Sequence, residues 1–138
     1  MTSESRNPVQ WNESMSTGNA PIDRQHQFLF QVVGDFREAL EELNGGTNVY
    51  GLFLSNLLSY SKAHFRFEET CMLAAHCPAA SVNQSAHRSF TKKIEAAEAY
   101  YEATGFDRSA VQTVVEWVEA WMLNHMGKID VQLRGLPT

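Results

Sequence analysis

Apolar residues recur at steps of three and four in four stretches of this chain, the spacing of one face of an α-helix. In the first, from about Ile22 to Leu43, the stripe is Ile22, His26, Leu29, Val33, Phe36, Leu40 and Leu43. Asn44-Gly45-Gly46 follows, residues that tolerate a left-handed helix end. The second runs from about Val49 to Ala75 along Phe53, Leu57, Tyr60, His64, Phe67 and Cys71, with Glu68 beside Phe67; Pro78 cannot continue it. The third, from near Ser81 to about Thr104, carries Asn83, His87, Phe90, Ile94, Ala97 and Tyr101, and Gly105 closes it. The fourth starts under a cap from Asp107 or Ser109 and carries Val111, Val114, Val118, Trp121 and His125, with Met122 beside them. It fades near Leu133-Arg134-Gly135. No period-two alternation of useful length competes, and there is no internal repeat or low-complexity tract.

Four helices of roughly 20 to 25 residues joined by short loops predict an all-α, up-down-up-down four-helix bundle. Residues 1–21 read as a non-helical N-terminal arm, 22–134 as the bundle and 135–138 as a tail. Trp11 is too large and apolar to be left in solvent, so the arm is predicted to fold back across the bundle.

Composition narrows the function classes. The net charge is −5, with no basic run, which disfavours nucleic acid and anionic membranes as partners. No stretch is long and apolar enough to span a bilayer. The polar N-terminus has no apolar leader, which sets the expectation of a cytoplasmic protein. Cys71 and Cys77 match no zinc or redox spacing and are expected to be reduced packing residues.

The stripes also carry polar residues that a core has no use for. Burying a polar group without a partner costs roughly 1–3 kcal/mol, and an unpaired carboxylate costs more. A single buried histidine is ordinarily a hydrogen-bonded core residue. Here His26, His64, Glu68, Asn83, His87, His125 and Asp130 are spread over all four segments, with no Lys or Arg on the same stripes. Two of the pairs, His64/Glu68 and Asn83/His87, sit at i, i+4 and each face one way. One cation site would satisfy them together. Imidazole and carboxylate suit iron, zinc or manganese better than calcium or magnesium, and the scarcity of cysteine argues against structural zinc. Two carboxylates are what a dinuclear centre needs for bridging. His125 and Asp130 lie at i, i+5, about 140° apart on an ideal helix. Both reach one site only through an irregular turn or π-type bulge between Met126 and Asp130.

These residues resemble the hemerythrin family, the bacterial hemerythrins in particular. The matching signatures are Ile22-Asp23-Arg24-Gln25-His26, then His64-Phe65-Arg66-Phe67-Glu68-Glu69 with Met72, then His87-Arg88-Ser89-Phe90, then Trp121-Met-Leu-Asn-His125-Met-Gly-Lys-Ile-Asp130. Trp11, Gly18 and Pro78 fit as well, and the match covers about residues 11 to 133. The resemblance implies two iron ions joined by an oxo or hydroxo bridge, with Glu68 and Asp130 as bridging carboxylates. It implies that His26 and His64 hold the iron that takes up dioxygen. The other iron has three histidines in the family, at the positions of Asn83, His87 and His125, so this chain departs from the pattern at Asn83.

A neutral amide oxygen is a poorer iron ligand than imidazole. Asn83 can coordinate weakly, a water can fill the position, or the second iron is held loosely and partly occupied. His76, in the preceding loop, is a conceivable substitute. An open position on the second iron favours an oxygen- or redox-sensing module that autoxidises readily, with dioxygen or another small ligand and a signalling protein as partners. The alternatives are a reversible oxygen carrier or store, a di-iron oxidase or peroxidase, and a metal-free interaction bundle. Phe67, Met72, Trp121 and Met122 are expected to wall a dry pocket, and Asp23, Gln25 and Glu69 are candidates to orient the imidazoles.

Overall fold

In the computed structural model, residues 9–42 and 47–136 are described; Leu43 and the Asn44-Gly45-Gly46 stop lie outside them, as do residues 1–8 and 137–138. Four helices follow one another: α1 Ala20–Glu41, α2 Tyr50–Ala74, α3 Ala80–Thr104 and α4 Arg108–Lys128. Short 3-10 turns stand at either end, Glu13–Met15 and Asp130–Leu133. No strand occurs among the described residues. The helices form the up-down-up-down bundle: α1 packs on α2 and α4, and α2 on α3. Phe90 of α3 meets α4 at Trp117 and Trp121.

Local chemistry sets the boundaries. Asn19 accepts a hydrogen bond from the Ile22 amide and Pro21 sits in the first turn of α1. Asp107, rather than Ser109, caps α4, accepting from the Ser109 and Ala110 amides. Gly105 ends α3 at φ +80°, a backbone conformation that costs glycine nothing. After α2 the chain turns through His76 at φ +53° and resumes as α3 at Ala80.

The buried stripes of α1 and α3 follow the apolar spacing: Ile22, His26, Leu29, Val33, Phe36 and Leu40 on one, with Phe30 buried beside them, and Asn83, His87, Phe90, Ile94 and Ala97 on the other, where Tyr101 is only half-buried. α2 is rotated relative to its expected stripe. Its buried face runs Phe53, Leu54, Leu57, Ser61, His64, Phe65, Glu68 and Met72, while Tyr60 and Cys71 lie at its edge and Phe67 is exposed. Ser61 and Glu68 are core members that look like surface residues, so the apolar pattern alone points one edge of the helix inward.

Two further contacts tie the bundle. Arg37 of α1 forks onto Glu119 of α4, donating through Nε and a terminal nitrogen at 2.7 Å to the two carboxylate oxygens. The described part of the arm lies across the bundle: Val9 and Trp11 pack on the main core, and Met15 is buried. The Thr17 amide and hydroxyl and the Ser16 hydroxyl donate to Asp23, and Arg134 donates to the Ser14 and Ser16 carbonyls. No described helix is long and apolar enough to cross a membrane. Cys71 and Cys77 are both free thiols.

Candidate metal centre

The bundle brings the seven polar residues of its stripes together near one end. Each is at most 3% exposed. α1 supplies His26, α2 supplies His64 and Glu68, and α3 supplies Asn83 and His87. α4 supplies His125, and the 3-10 turn beyond it supplies Asp130. The irregularity required between Met126 and Asp130 is present, as a break rather than a π-type bulge. The α-helix stops at Lys128, Ile129 donates back to His125 O at 2.8 Å, and the tighter turn swings Asp130 inward.

The two carboxylates divide their oxygens between two nests. Glu68 Oε2 lies 3.0 Å from His26 Nε2 and 3.5 Å from His64 Nε2, while Oε1 lies 3.1 Å from His87 Nε2. Asp130 Oδ2 lies 3.1 Å from His26 Nε2, and Oδ1 3.1 Å from His125 Nε2. Asn83 Oδ1 is 2.7 Å from that same nitrogen of His125. Ligating atoms of His26, His64 and Glu68 fall within 4.8 Å of one another, as do those of Glu68, His87, His125 and Asp130. Each carboxylate thus offers one oxygen to either group of donors.

The polar atoms themselves fit a metal. Glu68 Oε1, His87 Nε2 and both Asp130 oxygens are buried without a properly directed hydrogen bond, although nitrogen and oxygen approach to 3.1 Å. Such orphaned groups are rare in native cores unless an ion or water satisfies them. Burial would raise the Glu68 carboxyl, but the neighbouring His26, His64 and His87 imidazoles hold it well below the usual carboxylate range. Burial likewise works against a charge on His26; Asp130 and Glu68 outweigh it and lift the imidazole to about 9. The nest is thus built to hold positive charge, and a metal would displace the His26 proton.

Two imidazoles are oriented from behind. His64 Nδ1 donates to Gln25 Oε1 at 2.6 Å and His87 Nδ1 to Glu69 Oε2 at 2.7 Å, so both turn Nε2 inward. Asp23, the third candidate for this task, holds the arm instead. His76 is exposed and takes no part in the cluster. The walls differ from expectation at one position. Phe67 is 39% exposed, and Phe65 lines the site in its place, stacked on His87 at 3.8 Å and 8°. Phe65 was detectable as the residue three before Glu68, hence on its face of α2. Trp121 stacks on His125 at 4.4 Å and 13°. Met72 and Met122 are buried, Met72 packing with Ile22.

The family model described as hemerythrin HHE cation binding domain matches residues 17–134. The bacteriohemerythrin of Stenotrophomonas maltophilia is 22% identical over 116 residues, 84% of this chain and 72% of that protein. Myohemerythrin-1 of Phascolopsis gouldii is 24% identical over 128 residues, 93% of each chain. A hemerythrin-like protein of Naegleria fowleri is 21% identical over 129 residues, 94% of this chain and 93% of that one.

Proposed function

The chain belongs to the hemerythrin family, and from that we propose a non-haem di-iron, dioxygen-binding protein whose second iron site is weakened by Asn83. His26, His64, Glu68, His87, His125 and Asp130 would hold the irons, Glu68 and Asp130 each within reach of both groups of donors, and Asn83 stands where the family places a seventh ligand. The iron pair supplies electron exchange with dioxygen. The chain's part is to fix the two positions, exclude water with Phe65, Trp121 and Met72, and set how many positions stay exchangeable. The observation that carries this reading is the split of both carboxylates between two buried nests, only one of which contains an amide in place of an imidazole.

Asparagine is shorter than histidine, and its neutral oxygen binds iron more weakly. The Asn83 side therefore keeps a position that small molecules can enter, and the ferrous protein oxidises quickly in air. That behaviour suits a cytoplasmic oxygen- or redox-sensing module acting through a signalling partner better than it suits a carrier. Metal analysis should give two irons per chain. Stopped-flow mixing of the reduced protein with air should show oxidation at least about 10-fold faster than in Asn83→His, a difference near 1.4 kcal/mol in barrier. A long-lived oxygenated form, unchanged by Asn83→His, would overturn the sensing reading in favour of a carrier.

A further inference from the structure

A second feature sits outside the nests, where α2 and α3 run side by side. A cleft of about 440 Å³ opens there, and Phe65, Glu69 and His87 line it. Four cations surround these three: Lys62, Arg66, Arg88 and Lys92, all exposed. Only Glu69 and Glu95 oppose them in the lining, and Glu95 already pairs with Lys62 at 3.6 Å. In a chain of net charge −5 with 11 Lys and Arg in all, gathering four of them at one cleft makes a local field opposite in sign to the whole. The cleft reaches the outer edge of a candidate ligand: Glu69, 28% exposed, holds His87 Nδ1 at 2.7 Å, and Phe65 lies flat on the same ring.

We infer that this cleft is the docking face for an acidic one-electron carrier protein, which passes electrons to the metal centre through His87. The inference rests on the di-iron reading above. Charge complementarity selects the partner: a basic cleft attracts an acidic surface and speeds its encounter. Electron transfer weakens steeply with distance, and here a single imidazole separates the cleft from the nest. In each encounter the donor gives up one electron to a ferric iron, which becomes ferrous; no bond in the chain forms or breaks. Two encounters return a fully oxidised chain to the ferrous state.

The test uses iron-loaded, oxidised protein and two probes. The inert trianion hexacyanochromate(III) should broaden NMR signals of residues around Arg66 and Lys92. The anionic reductant iron(II)–EDTA should reduce the centre at a rate that falls with salt. Lys92→Glu and Arg66→Glu should each slow that reduction about 3- to 10-fold at low ionic strength, with the gap closing at high salt. Lys128→Glu makes the same change in net charge elsewhere on the surface and should leave the rate nearly unchanged. Equal slowing by Lys92→Glu and Lys128→Glu would overturn the inference. So would broadening at the cleft with reduction unaffected by its charges, which would mark an anion patch without electron entry. Failure to load two irons would sink the di-iron reading instead, a separate outcome read from metal analysis before either probe is added.

Discussion

Glu69 is the most informative single residue to change, because it reaches the proposed metal centre through one contact, with the candidate ligand His87. Its carboxylate accepts from His87 Nδ1 at 2.7 Å, whereas His64 makes the equivalent bond to the neutral amide of Gln25 at 2.6 Å. The anionic support therefore falls on the half of the site that carries Asn83. Glu69→Gln keeps an acceptor and thus the orientation of His87, but removes the charge. A hydrogen bond to a charged group contributes about 1.5–3 kcal/mol against 0.5–1.5 for a neutral one. The difference, about 1–1.5 kcal/mol, corresponds to iron held roughly 10-fold less tightly. Glu69→Ala removes the orienting bond as well and should approach the 100-fold end of the range for lost supporting partners. The assay is chelator competition, following iron left per chain against time. The first iron should leave faster in the order Ala, Gln, wild type, while the second leaves at a similar rate in all three. Release curves identical for wild type and Glu69→Ala would refute the reasoning, as would equal acceleration of both irons.

Three other outcomes follow from the structure. Arg37→Met should destabilise by about 1.5–3 kcal/mol, because it removes the two hydrogen bonds donated to a carboxylate at 4% exposure, and Arg37→Met/Glu119→Leu should cost less than the sum of the two single changes; urea denaturation of all three variants checks it, and simple additivity would contradict it. Removing iron should lower the melting temperature by roughly 10–15 °C. That figure takes metal present at about 1,000 times its dissociation constant and an unfolding entropy near 2.1 cal/mol/K per residue; calorimetry showing no shift would argue that the nests bind nothing. Tyr50, buried among Phe36, Phe53 and Tyr101, has its phenol pushed up to about 12, chiefly by that burial. The folded state holds this proton longer than the unfolded one, so the associated stability is intact below about pH 10 and is lost as pH rises towards 12; in an ultraviolet titration Tyr50 should ionise last, and four tyrosines ionising together would count against it.

The residues differ in how far their roles could be read before folding. On α1 and α3, apolar and ligand positions share one stripe, so spacing alone found both the helix face and His26, Asn83 and His87. On α2 the same reading placed Phe67 in the wall and overlooked Phe65, because Ser61 and Glu68 disguise the middle of the buried face. The need for Asp130 to reach the site announced an irregular turn, but a π-bulge and a 3-10 break both deliver it, and only the fold chooses. Gln25 and Glu69 could be named as candidates and no further, since orienting an imidazole depends on rotamers and on which helix lies opposite. The Arg37–Glu119 pair left no trace, because the relative register of α1 and α4 is written in neither helix by itself.

The clasp of Arg134 on the Ser14 and Ser16 carbonyls joins residues 118 and 120 positions apart. The pairing of His26 with Glu68 closes only 42. Closing the longer loop costs about 1 kcal/mol more chain entropy, an amount the bonds from Arg134 are sufficient to offset. Asp130 lies on the strand of chain that this clasp secures, four residues before it. The described ends of the fold thus act as a buckle beside the site: helix pairing gathers six of its side chains, and the 3-10 turn that adds the seventh, Asp130, runs straight into the fastened ends.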